Sequence, residues 1–291
     1  MSRRLSPSDP EYPLALGALD PWPGPSPADR AVHVKGRLPR ETGVCVVGTR
    51  APRGSAVAFT ERLAAALAEA GYAVLSGGAR GIDAAAHRGA LAAGGTTLAV
   101  LPGSLAHPYP ERHRTLFRLI EAGGGGLLSL DAAAPVLRPF HFHRRNAVMA
   151  ALAVATVVVE APHKKSGTMS TVRASERLER PRFVVPFPPW DEAAEGNQYA
   201  LSRGATPLTS LEVLLDALPP ARRDLIAEDE DDVLGADARA LAAVLARSHV
   251  ARHRDALCLE LGWAPGRLAA AGLELELAGW AREQEGFLSR W

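Results

Sequence analysis

Short apolar runs alternate with helical patterns through most of this 291-residue chain. The first run, Val44 to Val47, ends at Gly48, and a helical pattern follows from Ser55 to Gly71. The alternation continues through predicted strands at 72–75, 96–101, 127–130, 156–160 and 183–186, and through predicted helices at 82–93, 111–122, 143–153 and 167–179. This pattern predicts an α/β fold with a doubly wound, mainly parallel sheet, which binds ligands where its strands end.

The loop after the second predicted strand, residues 76–83, reads SGGARGID. Its glycines allow successive N–H groups to converge, and the helix behind it adds the positive end of its dipole. These features predict a phosphate site formed by Ser76, Gly77, Gly78, Arg80 and Gly81. A tight strand-to-helix turn without a ligand is the alternative.

A second basic loop follows the predicted strand that ends at Glu160. It places Lys164, Lys165, Ser166 and Thr168 at a predicted helix start, and only three lysines occur in the whole chain. Lysines and hydroxyls at a helix N-terminus predict a second anion site. A solvated charged turn is the alternative.

The segment Phe140–Asn146 combines two phenylalanines, two histidines and two arginines at the start of the predicted helix at 143. Flat rings beside Arg144 and Arg145 favour single-strand binding, in which bases stack and guanidinium groups contact phosphates. In the alternative, Phe140 and Phe142 are core residues and the arginines form solvated ion pairs.

The net charge of the chain is only +1, so affinity for a polyanion requires a local concentration of basic residues. Between Arg138 and Arg182, nine basic residues face three acidic ones, an excess of +6. We expect this stretch to form a patch for a polyanion such as DNA. Asp83 and His87, one helical turn apart near Ser76, suggest a catalytic trio, but a helix-start role for Asp83 that also holds His87 fits better.

Several motifs occur together in a specific order: Gly48-Thr49-Arg50, residues 76–87, Pro108-Tyr109-Pro110, residues 141–146, Ser166-Gly167-Thr168 and Gly196-Asn197. By this order the chain resembles the DNA-processing protein A family (DprA, also called Smf) from about Tyr12 to Leu215. The resemblance implies an extended Rossmann fold and a cytoplasmic homodimer that binds and protects incoming single-stranded DNA. It also implies help in loading the recombinase RecA during natural transformation, without a cofactor, a metal or catalysis.

The resemblance assigns residues to the DNA pocket: Arg50, Ser76, Gly77, Arg80, Gly81, Arg144, Arg145, Asn146, Lys165, Ser166 and Gly167, with Phe142 at its aromatic edge. The chain departs from the family at three positions. Gly78 replaces a bulkier apolar residue, His143 replaces proline, and Ala147 replaces a further arginine. The last change removes a possible phosphate contact.

Another class of function has some support from the sequence. Rossmann-like enzymes that hydrolyse nucleoside monophosphates also combine a glycine-rich loop with a Gly-Thr helix start, which Gly167-Thr168 resembles. Such enzymes need a carboxylate as general acid or base, and the candidates are Asp83, Glu160 and Glu176.

The rest of the chain divides into three parts around a DNA-binding domain at 41–217. Residues 1–40 are rich in proline and predict an extended arm, too short for an N-terminal helical domain. Residues 218–235 hold an acidic run, Glu228–Asp232, typical of a linker. Helical patterns near 238–247, 252–261 and 265–278, then a hairpin around Gly286, predict a winged-helix domain at 236–291.

Seven basic and seven acidic residues balance in the predicted winged-helix domain. We therefore expect a protein-contact module there, not a DNA anchor. Cys45 and Cys258 are isolated and predict neither a disulfide nor a zinc site. No apolar run is long enough to span a membrane, and we expect a cytoplasmic protein.

Overall fold

A computed structural model of the chain describes residues 2–19, 30–131, 136–191, 194–221, 235–246, 251–277, 281–284 and 286–290. Its main sheet has nine strands: β1 (Arg3–Leu5), β2 (Val32–Gly36), β3 (Gly43–Val47), β4 (Ala73–Ser76), β5 (Thr97–Leu101), β6 (Gly126–Ser129), β7 (Ala153–Val158), β8 (Arg182–Val184) and β9 (Thr206–Pro207). The order across the sheet is β1-β2-β6-β5-β4-β3-β7-β8-β9. The strands from β3 to β9 are mutually parallel, which confirms the predicted α/β class.

Seven α-helices accompany the main sheet among the described residues: α1 (Gly54–Glu69), α2 (Ile82–Ala92), α3 (Arg114–Ala122), α4 (Pro139–Leu152), α5 (Gly167–Arg177), α6 (Glu195–Ser202) and α7 (Leu211–Ala217). Every residue of the central strand β3 is buried, as expected for a strand covered on both faces. Cys45 and Val47 pack into one core with α4 and α5, whereas Val44 and Val46 pack into another with α1 and α2. The sheet is therefore doubly wound.

The N-terminal segment was predicted as an extended arm, and the structure adds that it contains two strands of the main sheet. β1 pairs with β2, and β2 pairs with β6, both antiparallel, so the segment widens the sheet at one edge. Val32 and Val34 are fully buried, and His33 between them is partly exposed. The alternation is too short to stand out in a proline-rich sequence, and pairing to β6 decides the strand.

The C-terminal unit contains α8 (Ala236–Ala246), β10 (Arg252–His253), α9 (Arg254–Leu261), α10 (Pro265–Leu277), β11 (Ala281–Gln284) and β12 (Phe287–Arg290). Its three strands form a separate antiparallel sheet, and its helices enclose a core around Leu241, Leu257 and Leu268. Gly286, next to the hairpin turn, has φ +82°, which glycine adopts without strain. Three helices and a hairpin confirm the winged-helix prediction.

The predicted linker begins within the main domain. Leu218 is buried in the core on the α1 face, and the hydroxyl of Tyr72 donates to the carbonyl oxygen of Pro219 at 2.6 Å. The acidic run at 228–232 lies outside the described residues.

Candidate nucleic-acid interface

Neighbouring loops meet where the direction of winding reverses, between β3 and β7. The backbone N–H of Thr49 donates to the carbonyl oxygen of Glu160 at 2.7 Å, and the hydroxyl of Thr168 donates to that of Gly48 at 3.0 Å. The N–H of Ile82, at the start of α2, donates to the carbonyl oxygen of Thr49 at 3.2 Å. Such a switch point is the usual ligand position in a doubly wound sheet.

The glycine loop after β4 is filled by groups of the protein itself. The carboxylate of Asp83 accepts a hydrogen bond from the N–H of Ala79 at 3.3 Å and another from Gly77. A Cβ at Gly77 would overlap the guanidinium of Arg145, and one at Gly81 would overlap the carbonyl oxygen of Thr49. The glycines therefore permit close packing, and the N–H groups of Gly77 and Ala79 are bound to a carboxylate of the protein.

Arg145 holds the glycine loop in place through hydrogen bonds from its guanidinium group. Its Nη1 donates to the carbonyl oxygens of Gly77 and, at 3.0 Å, Val100, and its Nε donates to Oδ1 of Asn146 at 2.9 Å. Burial lowers the pKa of Arg145, and the charge of Asp83 opposes that shift. Burial likewise raises the pKa of Asp83, opposed by the charge of Arg145. The two buried charges therefore stabilise each other.

The predicted helix start at 143 is wrong by four residues. Helix α4 begins at Pro139, so Phe140, Phe142 and both arginines lie on helical turns, and the arginines point inward. Arg144 is 3% exposed, and its Nη1 lies 3.0 Å from the carboxylate of Asp131. Arg144, Arg145 and Asn146, which were expected to line the DNA pocket, are all buried, and Nε and Nη2 of Arg144 have no hydrogen-bond partner among the described residues. The amide of Asn146 donates to the carbonyl oxygen of Gly167 at 3.1 Å and so joins α4 to the start of α5.

Ser76 and His87 are also buried in protein contacts. The hydroxyl of Ser76 donates to the carbonyl oxygen of Val46 at 2.7 Å. His87 Nδ1 lies 2.7 Å from Oγ1 of Thr97, which donates to the carbonyl oxygen of Val74, so the imidazole donates through Nδ1. The expected bond from Asp83 to His87 is therefore replaced by one to Thr97. Burial lowers the pKa of His87 to about 3 and keeps the ring neutral.

At the start of α5, most of the predicted anion-binding groups are engaged by the protein. Ser166 caps the helix by accepting from the N–H of Met169 at 3.4 Å. The ammonium of Lys164 lies 3.1 Å from the carboxylate of Glu195, and the hydroxyl of Thr168 is bound to Gly48. Gly167 is exposed, and a Cβ there would meet open space. Lys165 is exposed and makes no ion pair within the described part of the chain.

Five exposed or partly exposed side chains lie in the loops and helix starts at the carboxyl ends of the strands, and we call them the edge cluster: Arg50, Arg80, Tyr109, Phe142 and Lys165. The guanidinium carbon of Arg50 lies 5.7 Å from the ring centre of Phe142. The rings of Phe142 and Tyr109 meet edge to face at 6.1 Å, and Tyr109 is 47% exposed. Over the described ranges, neither Arg80 nor Lys165 has a carboxylate partner. The cluster thus combines aromatic faces with two cations whose charge is not neutralised by a carboxylate of the described residues.

Tyr109 was absent from the residues that the sequence assigned to the site. Its only signal was the Pro108-Tyr109-Pro110 motif, which lies 33 residues before Phe142 in the chain. The residues meet because the loop after β5 and the N-terminal turns of α4 share one edge of the sheet. Arg80 lies in the same loop as Gly81, whose backbone packs against the residues around Arg50.

The predicted patch with an excess of +6 is not one surface. Helix α5 runs from the switch point toward the amino-terminal ends of the strands. Arg177, near the end of this helix, therefore lies about 15 Å from Gly167. Arg182 and Arg203 both pair with Glu176 near that far end. The basic residues of this stretch therefore do not form one surface. Some are buried, some lie far from the switch point, and some are paired with carboxylates.

Each of the three candidate catalytic carboxylates is held by partners. Asp83 lies in the glycine loop, and Glu160, 3% exposed, accepts from the N–H of Arg53 at 3.2 Å. Glu176 pairs with Arg182 and Arg203. Asp83 and Glu160 are buried, and Glu176 lies in the last turn of α5.

Within the described residues, no group of three or more histidine, cysteine, aspartate or glutamate side chains has the arrangement of a metal site. Cys45 and Cys258 are free thiols. Among the described helices, none is long and apolar enough to cross a membrane.

Two family models match the chain in succession. The model for DNA recombination-mediator protein A matches residues 3–219, and the model for the DprA winged helix domain matches residues 220–286. The chain is 36% identical over 220 residues to Protein Smf of Synechocystis, an alignment that covers 74% of this chain and 53% of the relative. It thus spans about half the length of that protein. Protein Smf of Escherichia coli is 31% identical, with 96% of this chain and 75% of the relative covered.

Two solved structures share the fold of the main domain. One, of DNA processing protein A from Helicobacter pylori, concerns the single-stranded DNA binding mode of that protein. It has a TM-score of 0.63 and 25% identity, and covers 74% of this chain and 94% of the other. The other, DNA processing protein A from Streptococcus pneumoniae, has a TM-score of 0.62 and 30% identity, with 74% of both chains covered.

Proposed function

The chain belongs to the DNA recombination-mediator protein A family, known as DprA or Smf, and we propose that it binds single-stranded DNA at the edge cluster. One observation carries this proposal: Arg50 lies over Phe142, which contacts the exposed ring of Tyr109. Aromatic faces suit any unpaired base, because every base has a π-face on which to stack. Arg80 and Lys165 supply charge for phosphates without first breaking an ion pair of the protein.

The proposed site differs from the pocket that the sequence suggested. In this proposal the DNA strand contacts Arg50, Arg80, Phe142 and Lys165. Beneath these side chains lies a supporting layer, which we call the floor and which consists of Ser76, Gly77, Gly78, Gly81, Arg144, Arg145 and Asn146. The floor has a function of its own, since side chains that bind a ligand need supporting contacts that fix their positions. Ser166 and Thr168 fix the start of α5 in the same way, so that Lys165 stays beside the switch point.

We further propose a binding role without catalysis in the processing of DNA. The chain would protect single strands that enter the cytoplasm during natural transformation, and would act as a homodimer that helps to load RecA. Family membership and the structural likeness to the Helicobacter pylori protein support this assignment.

Titration of a labelled oligo-dT at several salt concentrations tests the proposal. We expect binding that is insensitive to base sequence and weakens with salt, because phosphate contacts release counterions. Arg177→Ala is a matched control, since Arg177 is exposed but lies at the C-terminal end of α5, away from the edge cluster. Release of free base from a panel of nucleotides, without oligonucleotide binding, would contradict the proposal and favour the hydrolase alternative.

A further inference from the structure

Trp190 is 82% exposed in the loop that follows β8. β8 is parallel to β7, so its loop lies at the same edge of the sheet as the edge cluster. A large apolar ring is costly to leave in water, and tryptophan is enriched where proteins contact ligands or partners.

The loop presents Trp190 in a restrained conformation. The N–H of Asp191 and the side-chain amide of Gln198 both donate to the carbonyl oxygen of Pro188, at 2.9 and 2.8 Å. Pro188 and Pro189 also restrict the backbone just before Trp190. A restrained loop loses little conformational entropy when a ligand binds, which favours a binding role for the ring.

Arg53 connects this loop to the edge cluster. It forms two hydrogen bonds with the carboxylate of Asp191, at 2.6 and 2.7 Å, and its guanidinium carbon lies 5.2 Å from the ring centre of Phe187. Arg53 follows Arg50 by three residues in the loop after β3. An interrupted row of rings and guanidinium groups thus runs from Tyr109 and Phe142 to the loop of Trp190.

We propose that Trp190 is a second base-stacking position for the same DNA strand, a proposal that rests on the single-strand binding proposed above. The loop with Tyr109 follows β5, and β5 and β8 are four strand spacings apart. This separation is roughly 19 Å. A short oligonucleotide on the edge cluster therefore ends before Trp190, and a longer one reaches it.

The contact at Trp190 is stacking and not phosphate neutralisation. Among the described neighbours, Arg53 is paired with both Asp191 and Glu160, and Lys164 is paired with Glu195. These groups leave no excess positive charge beside the ring. Loss of Trp190 should therefore lower affinity equally at all salt concentrations, unlike loss of a lysine.

The test is Trp190→Ala in the full chain, titrated with oligo-dT of about 4 and about 16 nucleotides, the range of common single-strand site sizes. We expect the longer oligonucleotide to bind at least about fivefold more weakly, or ~1 kcal/mol, with the salt slope unchanged. Affinity for the shorter one should be unchanged. Trp190→Phe should restore most of the loss, because it keeps an aromatic face, and Leu119→Ala, at another exposed apolar side chain, should have no effect.

Three outcomes would overturn the inference. Unchanged affinity of Trp190→Ala for the longer oligonucleotide, while Lys165→Ala weakens binding, would remove Trp190 from the path and leave the edge cluster in place. An altered sedimentation coefficient with unchanged affinity would assign the ring to contact with a second copy of the chain. Failure of the unmodified protein to bind either oligonucleotide would refute the proposed function and, with it, this inference.

Discussion

Arg145 donates a hydrogen bond to the carbonyl oxygen of Gly77, so a guanidinium from α4 fixes the glycine loop after β4. The same side chain bonds to the carbonyl oxygen of Val100 in β5 and faces the buried carboxylate of Asp83. A residue that resembles a phosphate ligand in the sequence thus supports two neighbouring strand ends.

Arg145→Ala should lower the free energy of unfolding by about 3–5 kcal/mol, because it leaves the buried charge of Asp83 without its compensating cation. Denaturant unfolding at neutral pH measures the change, and Arg177→Ala at the exposed end of α5 serves as the control. Equal midpoints for the unmodified protein and Arg145→Ala would show that the buried pair contributes nothing to stability.

Lys165→Ala and Arg80→Ala should each weaken oligo-dT binding and reduce the magnitude of its salt slope by about 0.7, the value for one phosphate contact on a single strand. Both side chains are exposed, so the unfolding midpoint should hardly change. Plots of log affinity against log salt concentration provide the measurement. A slope equal to that of the unmodified protein would rule out the phosphate contact.

Arg144→Ala should have the opposite pattern. Its guanidinium is buried and paired with Asp131, so its loss should reduce stability and leave the salt slope unchanged. Unfolding and salt titrations on the same variant separate the two effects. A flatter slope together with a normal midpoint would restore Arg144 as a direct phosphate ligand.

His87 should make the protein less stable in acid. Burial lowers its folded-state pKa to about 3, whereas the unfolded value is 6.5. The unfolded state therefore binds more protons between these values, and the stabilisation present above pH 6.5 is lost as the pH falls toward 3. By this linkage, the loss between neutral pH and pH 5 is about 2 kcal/mol.

His87→Asn tests this pH dependence, because its amide nitrogen can replace Nδ1 as the donor to Thr97. The variant should lose about 2 kcal/mol less than the unmodified protein between neutral pH and pH 5. Measurements of unfolding free energy at both pH values give the difference. Identical acid dependence in the two proteins would assign the effect to other groups.

A chain that ends after Ala221 should keep nearly all its affinity for oligo-dT. The end point retains Pro219, whose carbonyl oxygen accepts from Tyr72. In α10, Arg267 forms two hydrogen bonds with Asp237, and Glu276 and Leu273 are exposed, so this helix offers no free cation to DNA. A tenfold loss of affinity, about 1.4 kcal/mol, would instead show that the winged-helix unit binds DNA.

The order of strands and helices was predictable because it depends on local hydrophobic periodicity. Runs such as Val44–Val47 are apolar on both faces, which is typical of central parallel strands, and helix stops such as Gly71 have a local backbone cause. The same local signals predicted the winged-helix hairpin around Gly286. Phe142, Arg80 and Lys165 were named for the chemistry of their side chains, and Arg50 was named for its place in a motif of the family that the chain resembles.

Tertiary structure decided which cations face solvent. Arg80 and Arg145 have the same side chain, yet Arg80 is exposed at a loop tip and Arg145 is buried, because α4 starts at Pro139 and turns Arg145 toward β4 and β5. The meeting of Tyr109 with Phe142 likewise depends on the order of strands in the sheet. Sequence alone determined the fold class, since the order of strands and helices follows from local hydrophobic periodicity. Packing between distant segments determined which of the predicted site residues are exposed and which are buried.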